Sequence, residues 1–221
     1  MIVKYKYLSY FLNKDTPIYG GEKNAIFVDN RSEMSKGASS NTKYLKFPNH
    51  SGTHIDFPNH FSDSGRVIDD YPASFWYTER VFVIKYIARD EEIINEDCID
   101  FSLVPNNTEF LIINTEFYKK RMQKVYWNNN PGLCPKLATK LKSHCQKLKY
   151  IGFDFISLTS YKNRILGREA HVEFLINNDI LLIEDMDLSK IDNIKINSTV
   201  VLPLMINNLD GAPVSIIASY E

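Results

Sequence analysis

Two short apolar runs, VFVIKYI (Val81–Ile87) and FLIIN (Phe110–Asn114), constrain the fold most. Each has the length of a strand rather than a helix, and neither alternates apolar with polar residues. A strand of that kind needs cover on both faces. Further segments rich in β-branched and aromatic residues are Lys43–Phe47, Tyr150–Phe153, Ile180–Ile183, Thr199–Ile206 and Val214–Ser219. One helix is predicted over Pro135–Leu148, where Pro135 suits the first turn and Leu137, Leu141, Cys145 and Leu148 form one stripe. A second is predicted over Arg168–Ile176, stopped by Asn177-Asn178-Asp179 and followed by the strand ILLIE. Polar loops holding Pro and Gly are expected at Pro17–Gly21, Pro48–Phe61, Asn128–Pro135 and Asp210–Pro213. The chain has 221 residues and is 44% hydrophobic, enough for one sizeable core. The expectation is a single α/β domain over residues 1–221, with a β-rich core and a few helices.

Charge narrows the partners. Lys+Arg is 26 and Asp+Glu is 27, and no basic run stands out. A phosphate-binding surface needs a basic face, so neither nucleic acid nor an anionic membrane is expected as the main partner. No segment approaches the ~20 apolar residues that cross a bilayer. The N-terminal MIVKYKYLSYFLNKD lacks the continuous apolar core of a signal peptide. Cys98, Cys134 and Cys145 are odd in number and scattered, which suits free thiols in a reducing, cytoplasmic setting.

Chemistry concentrates in NHSGTHIDFPNHF, Asn49–Phe61, which holds three of the five histidines, His50, His54 and His60, with Asp56 among them. Imidazoles and carboxylates are the usual ligands of Zn²⁺, and of Mn²⁺ or Fe²⁺ as oxygen ligands increase. Pro48, Gly52 and Pro58 argue against a helix here. In an extended segment His54 and Asp56 point the same way. Gly52, without a Cβ, would let backbone approach an ion closely. An HxxxH pair alone is weak evidence; Asp56, His60 and the absence of Lys and Arg strengthen it. Completing the site requires distant residues. His171 lies on the second helix, and Glu184 ends an apolar strand, where an acid is unusual unless paired or ligating. Taken alone, each is better explained as a polar helix face or a strand-end turn. Together the five residues are an inventory for two ions about 3.5–4 Å apart. His144 reads as structural or surface. Trp76, Tyr77, Phe57 and Phe61 are candidates for an aromatic pocket wall, with core packing the competing role. Asp154 and Ser157 are candidates for hydrogen-bonding the metal histidines, or are turn residues.

The residues His50–Phe61, HSGTHIDFPNHF, match HxGTHxDxPxHF at every specified position, so the chain resembles the metal-dependent cyclase family, which includes bacterial kynurenine formamidases. The likeness extends over TPIYGG (Thr16–Gly21), NPGL (Asn130–Leu133), IGFDFIS (Ile151–Ser157), Ala170–Glu184 and LPLMINNLDGAPV (Leu202–Val214). The resemblance implies a swivelling β/β/α-type fold, homodimers or larger assemblies, and one or two divalent ions, most often zinc or manganese. Carried over by position, His50, His54 and Asp56 bind the first ion, Asp56 and Glu184 bridge, and His171 holds the second. His60 matches the proton-transfer residue and Tyr19 a substrate-lining aromatic. The sequence departs from the family pattern at Asn114 and Ser215, where arginines are common, and at Tyr19, where kynurenine formamidases favour Trp. The His171–Glu184 spacing is one residue longer, an excess assigned to the Asn177-Asn178 turn. These departures leave the metal core intact but weaken N-formylkynurenine as the substrate.

The chemistry expected is hydrolysis of an amide, formamide or cyclic amide or ester by metal-acidified water, with His60 carrying the proton. Cyclisation or dehydration of a polyketide- or sugar-like intermediate is the enzymatic alternative. A non-catalytic metal-binding homologue is the other, and it leaves His60 without a purpose.

Overall fold

The computed structural model describes residues 2–192 and 194–221. Its strands are β1 (Lys4–Tyr7), β2 (Phe27–Ser32), β3 (Thr42–Lys46), β4 (His54–Asp56), β5 (Tyr77–Thr78), β6 (Val81–Lys85), β7 (Ile93–Ile94), β8 (Phe110–Asn114), β9 (Gly132–Leu133), β10 (Tyr150–Phe153), β11 (Leu181–Glu184), β12 (Ile196–Pro203) and β13 (Gly211–Tyr220). The helices are α1 (Val125–Asn128), α2 (Pro135–His144) and α3 (Arg164–His171), and α3 runs on into a π-helical stretch, Val172–Asn177.

Nine strands form one mixed sheet in the order β5-β12-β13-β4-β11-β10-β8-β6, with β1 added against β13. The half holding β11, β10, β8 and β6 is parallel, and β4, β13, β12 and β5 pair antiparallel. At the far end β12 turns back against β6, so the sheet nearly closes into a barrel. The expectation of a β-rich single domain with few helices holds.

The apolar run FLIIN became β8, buried at every position, as cover on both faces requires. VFVIKYI did not. It forms β6, hydrogen-bonded only to β8, and three of its five residues are half-buried while Lys85 is exposed. The helix expected to Leu148 stops at His144, yet Leu137, Leu141, Cys145 and Leu148 are all buried. Its stripe is therefore right and its last turn irregular. Removing Leu137 to Ala would cost about 2–5 kcal/mol by the usual core cost. The second helix begins at Arg164, four residues earlier than expected.

Several strands were not expected or lie in expected loops: β1, β5 and β7 are short additions, and β9 lies inside the expected loop Asn128–Pro135. β4 lies inside the expected loop Pro48–Phe61, and β13 begins inside the expected loop Asp210–Pro213. β2 was not foreseen. It pairs with β3 in a separate hairpin outside the main sheet. Turn residues concealed β4, β9 and the start of β13, because Gly and Pro punctuate a sequence even where the sheet accommodates them.

Candidate metal centre

β4 is a central strand, hydrogen-bonded to β11 on one side and β13 on the other. Its three residues are buried, and His54 and Asp56 share one face by the two-residue strand period. The β4–β11 register sets Glu184 opposite His54, and the β4–β13 register sets Gly211 opposite Asp56. His50 enters from the turn before β4, and His60 from the single helical turn Pro58–His60 after it. His171, last residue of α3, completes the cluster.

The polar atoms converge. His54 Nε2 lies 3.5 Å from Asp56 Oδ1 and 3.3 Å from Glu184 Oε2. His171 Nε2 lies 3.6 Å from Asp56 Oδ2 and 3.8 Å from Glu184 Oε1. His50 Nδ1 is 2.8 Å from Asp56 Oδ1. Two overlapping sets, His50–Asp56–His60 and His54–Asp56–Glu184, each offer ligand atoms within 4.8 Å of one another, and Asp56 belongs to both. A mixed imidazole–carboxylate set of this kind fits Zn²⁺ or Mn²⁺. His54, Asp56, His171 and Glu184 are each at most 5% exposed. So many buried charge-bearing groups are costly unless an ion or protons neutralise them.

The remaining ring nitrogens are held. His54 Nδ1 donates to the Gly52 carbonyl at 2.8 Å, and His171 Nδ1 donates to the Gly167 carbonyl at 2.8 Å. Both Nε2 atoms are thereby left for a ligand, the arrangement metal histidines usually show. Gly52 has φ +61, and a Cβ there would lie 2.4 Å from Leu12 Cδ2. That left-handed turn and tight packing, rather than approach to an ion, explain the glycine.

Asp210 escaped the sequence reading. Its Oδ2 accepts from His60 Nδ1 at 2.8 Å and from His50 Nε2 at 3.0 Å, and its Oδ1 accepts from Asn49 Nδ2 at 2.7 Å. Asp-Gly read only as a turn, and nothing in the sequence links it to His60. Both nitrogens of His50 thus face carboxylates, which an imidazole satisfies fully only as the two-donor cation. Burial opposes that charge, but Asp56 and Asp210 outweigh it and raise the His50 pKa to about 10. Burial likewise works against the Asp56 carboxylate, yet His50 and His171 hold it well below its ordinary value. Hydrogen bonds from His50 and His60 pull Asp210 down as well.

Behind the site Asp185, next to Glu184, accepts from Arg121 Nε and Nη2 at 2.8 and 2.7 Å and from Tyr126 at 2.5 Å. Its backbone, at φ +51, donates nothing to β4; instead Thr53 Oγ1 donates to its carbonyl at 2.6 Å. This buried network ties the ends of β4 and β11 together and was not legible in the sequence. Asp154 and Ser157, by contrast, do not touch the metal histidines. Asp154 accepts from Thr115 N, Thr115 Oγ1 and Tyr118 N. Ser157 Oγ accepts from Thr159 N. His54 and His171 are supported by backbone carbonyls instead, and His50 by the Asp56 and Asp210 carboxylates.

A cavity of about 710 Å³ opens over the cluster, within the range of ligand pockets. Tyr19, Phe61, Ile156 and Ile165 line it. Phe61 stacks on His171, with centroids 4.3 Å apart. Phe57 and Trp76 are core residues, and Tyr77 is 47% exposed on β5, so only Phe61 of the four aromatic candidates meets the cavity. His144 Nε2 donates to the Val104 carbonyl, a structural role. Between His171 and Glu184 the chain first runs through the π-helical stretch Val172–Asn177. Its π-type bond, Asn178 N to Glu173 O, spans one residue more than an α-helical bond.

Among known proteins, residues 7–160 match the model of the family described as "Putative cyclase". Cyclase-like protein 3 of Oryza sativa subsp. japonica is 24% identical over 94% of this chain and 76% of its own length. Kynurenine formamidase of Bacillus cereus is 25% identical over 92% of this chain and 91% of its own. Isatin hydrolase A from Labrenzia aggregata has the same fold, with a TM-score of 0.80 at 18% identity, over 98% of this chain and 93% of that one.

Proposed function

The chain belongs to the cyclase family, and from that premise we propose that it is a metal-dependent hydrolase of an amide, formamide or cyclic amide or ester. One observation carries this reading: three separate parts of the chain, His50–Asp56, His171 and Glu184, bring three imidazoles and two carboxylates together beneath a ligand-sized cavity, with His60 anchored beside them. His50, His54, Asp56, His171 and Glu184 would hold one or two ions, zinc foremost and manganese second. The ion would supply Lewis acidity, polarising a carbonyl and lowering the pKa of water toward ~7.

The chain's own residues do the rest. Asp210 fixes the His60 ring through Nδ1, which leaves Nε2 without a protein partner among the described residues and available to carry a proton. Tyr19 and Phe61 present apolar surface to the substrate body. Relatives named kynurenine formamidase and isatin hydrolase support an amide-type substrate. The reading does not extend to N-formylkynurenine, because Tyr19 is not the Trp that kynurenine formamidases favour. Metal analysis of the purified chain, followed by a panel of formamides, cyclic amides and lactones before and after chelation, tests it. Undiminished hydrolysis by metal-free protein would overturn it. Product mass separates hydrolysis, which adds water, from dehydration, which removes it.

The assembly belongs to this proposal as a homodimer or larger homo-oligomer. The β2–β3 hairpin stands apart from the main sheet and exposes Phe27, Val28, Tyr44 and Leu45. A two-stranded hairpin is marginal alone, so cover by a second copy is its simplest support. A cytoplasmic site agrees with the three free thiols. Among the described residues no helix is long and apolar enough to cross a membrane.

A further inference from the structure

We propose that Arg121, Asp185 and Tyr10 are positioning residues of the metal centre: the buried Arg121–Asp185 pair, capped by Tyr10, locks the left-handed turn in which the chain leaves β11, and that turn aims the Glu184 carboxylate at His54 and His171. The proposal rests on Glu184 as a metal ligand, part of the reading above, and deepens it.

The first observation is where the ladder stops. Glu184 is the last residue of β11, and its pairing with His54 is the final step of the β4–β11 register. The pair that joins the two halves of the site therefore stands at a strand end, where pairing opens most easily. Asp185 follows with φ +51. Asp tolerates that left-handed conformation better than most residues, yet it is still unfavourable for any residue with a Cβ. The turn sends two successive N–H groups back toward β10: Asp185 N donates to the Phe155 carbonyl at 2.9 Å and Met186 N to the Phe153 carbonyl at 3.0 Å.

The second is what holds the turn. Arg121, from the segment after β8, donates to Asp185 Oδ1 and Oδ2 through Nε and Nη2, and the Tyr126 hydroxyl donates to Oδ1 as well. Asp185 is 1% exposed and Tyr126 fully buried. A buried ion pair adds little net stability over apolar side chains of the same volume. A two-pronged guanidinium–carboxylate contact does fix one plane and one direction. Its consequence here is orientation.

The third is Tyr10, which meets both sides. Its ring lies against the Arg121 guanidinium, 3.8 Å from centroid to carbon. Its backbone N donates to Thr53 Oγ1 at 3.0 Å, and Thr53 Oγ1 donates to the Asp185 carbonyl at 2.6 Å. Thr53 immediately precedes His54. The residue before His54 and the residue after Glu184 are thus hydrogen-bonded to each other, with the His54–Glu184 pair beside them.

The fourth is what Glu184 lacks. Its Oε1 accepts from Leu158 N at 2.7 Å, but its Oε2, 3.3 Å from His54 Nε2, takes its direction from the backbone behind it. Tyr10, Arg121 and Asp185 are not among the residues that line the cavity. They act on the centre through Glu184 and Thr53, not on the substrate.

The test uses the full metal-free chain and Co²⁺, whose visible absorption reports both affinity and ligand geometry. R121M/D185L removes the pair and keeps most of its volume. Far-UV circular dichroism and a urea midpoint close to wild type are expected, with Co²⁺ affinity about tenfold or more weaker, the usual loss when a residue supporting a metal ligand is removed, and an altered Co²⁺ spectrum. R121K keeps the charge without the fork and is expected to fall between the two. If R121M/D185L does not fold, R121K decides alone, and wild-type affinity in it overturns the assignment. The decisive step is a cycle with Glu184→Gln. If the pair acts through Glu184, R121M/D185L costs no more than about twofold in the E184Q background, whereas independent effects add. A full further loss there, or undiminished affinity in R121M/D185L, would overturn the assignment. The two readings fail separately. Wild-type protein that binds Co²⁺ through this network but hydrolyses no amide, formamide or lactone removes the hydrolase and leaves the positioning role. Hydrolysis and metal binding that survive R121M/D185L unchanged remove the positioning role and leave the hydrolase. Wild-type protein that binds no Co²⁺ removes both.

Discussion

Glu184 is the direct cross-strand neighbour of His54. Their Cα atoms pair in the antiparallel β4–β11 ladder, and Glu184 Oε2 lies 3.3 Å from His54 Nε2. The contact that joins the two halves of the site is therefore made by backbone register, and a slip of one residue would send Glu184 to the other face of the sheet. Glu184→Gln keeps the shape and one hydrogen bond, from Leu158 N, but removes the charge. It is expected to lower divalent-ion affinity by about tenfold or more, read by equilibrium dialysis. Wild-type affinity in that variant would remove Glu184 from the ligand set.

His60 and Asp210 form the next pair to separate. His60→Ala should retain its ion and lose turnover by about 10²–10⁴-fold, the usual worth of a general acid–base. Because His60 also stands within ligand reach of His50 and Asp56, metal content decides its role: an ion lost with the side chain makes His60 a ligand. Asp210→Asn should lower kcat more than it raises KM and displace the pH–rate profile, since the amide holds the His60 ring without stabilising its charge.

The proton balance of His50 gives a third test. Its folded pKa is raised to about 10, so in metal-free protein its contribution to stability is complete below about pH 6.5, the unfolded value. It is lost as pH rises through about 10. A metal must replace a proton on one of the two ring nitrogens. Calorimetry in buffers of different ionisation enthalpy should therefore show at least about one proton released at neutral pH on binding of the ion that His50 contacts, with His54, whose pKa is also raised, adding to it. No proton release would mean that His50 stays out of the coordination sphere.

Gly211 limits the same imidazole. A Cβ at this position would come 2.3 Å from His50 Cε1, closer than packed atoms allow. Gly211→Ala should displace His50 from Asp56 and Asp210, lowering metal affinity and turnover together, while far-UV circular dichroism stays unchanged. Metal affinity equal to wild type would show that the His50 position is not needed.

Asp154 predicts the stability of the fold rather than of the site. Burial raises its pKa to about 6, against the hydrogen bonds from Thr115 and Tyr118 that lower it. Between its unfolded value near 3.8 and about 6 the native state holds the extra proton, so stability from this residue falls as pH rises through that window. Two units correspond to about 3 kcal/mol as an upper figure. Wild-type stability minus that of Asp154→Asn, from urea melts at pH 4 and pH 7, should drop by an amount of that order. A flat difference would place the carboxylate's hydrogen bonds ahead of its burial.

The sequence alone determined the ligand types and much of the core. HSGTHIDFPNHF names its own chemistry because imidazoles and a carboxylate so close together, with no cation among them, have few other uses. FLIIN and the α2 stripe declared themselves because continuous and 3.6-residue apolar patterns answer directly to burial. Tertiary structure alone decided which distant groups complete the centre. Glu184 and Gly211 take their places from strand register, and Asp210 and Arg121 from side chains meeting across the fold. Those contacts leave no local periodicity, since hydrogen bonds and register between distant segments depend on how the sheet closes rather than on neighbours in the chain.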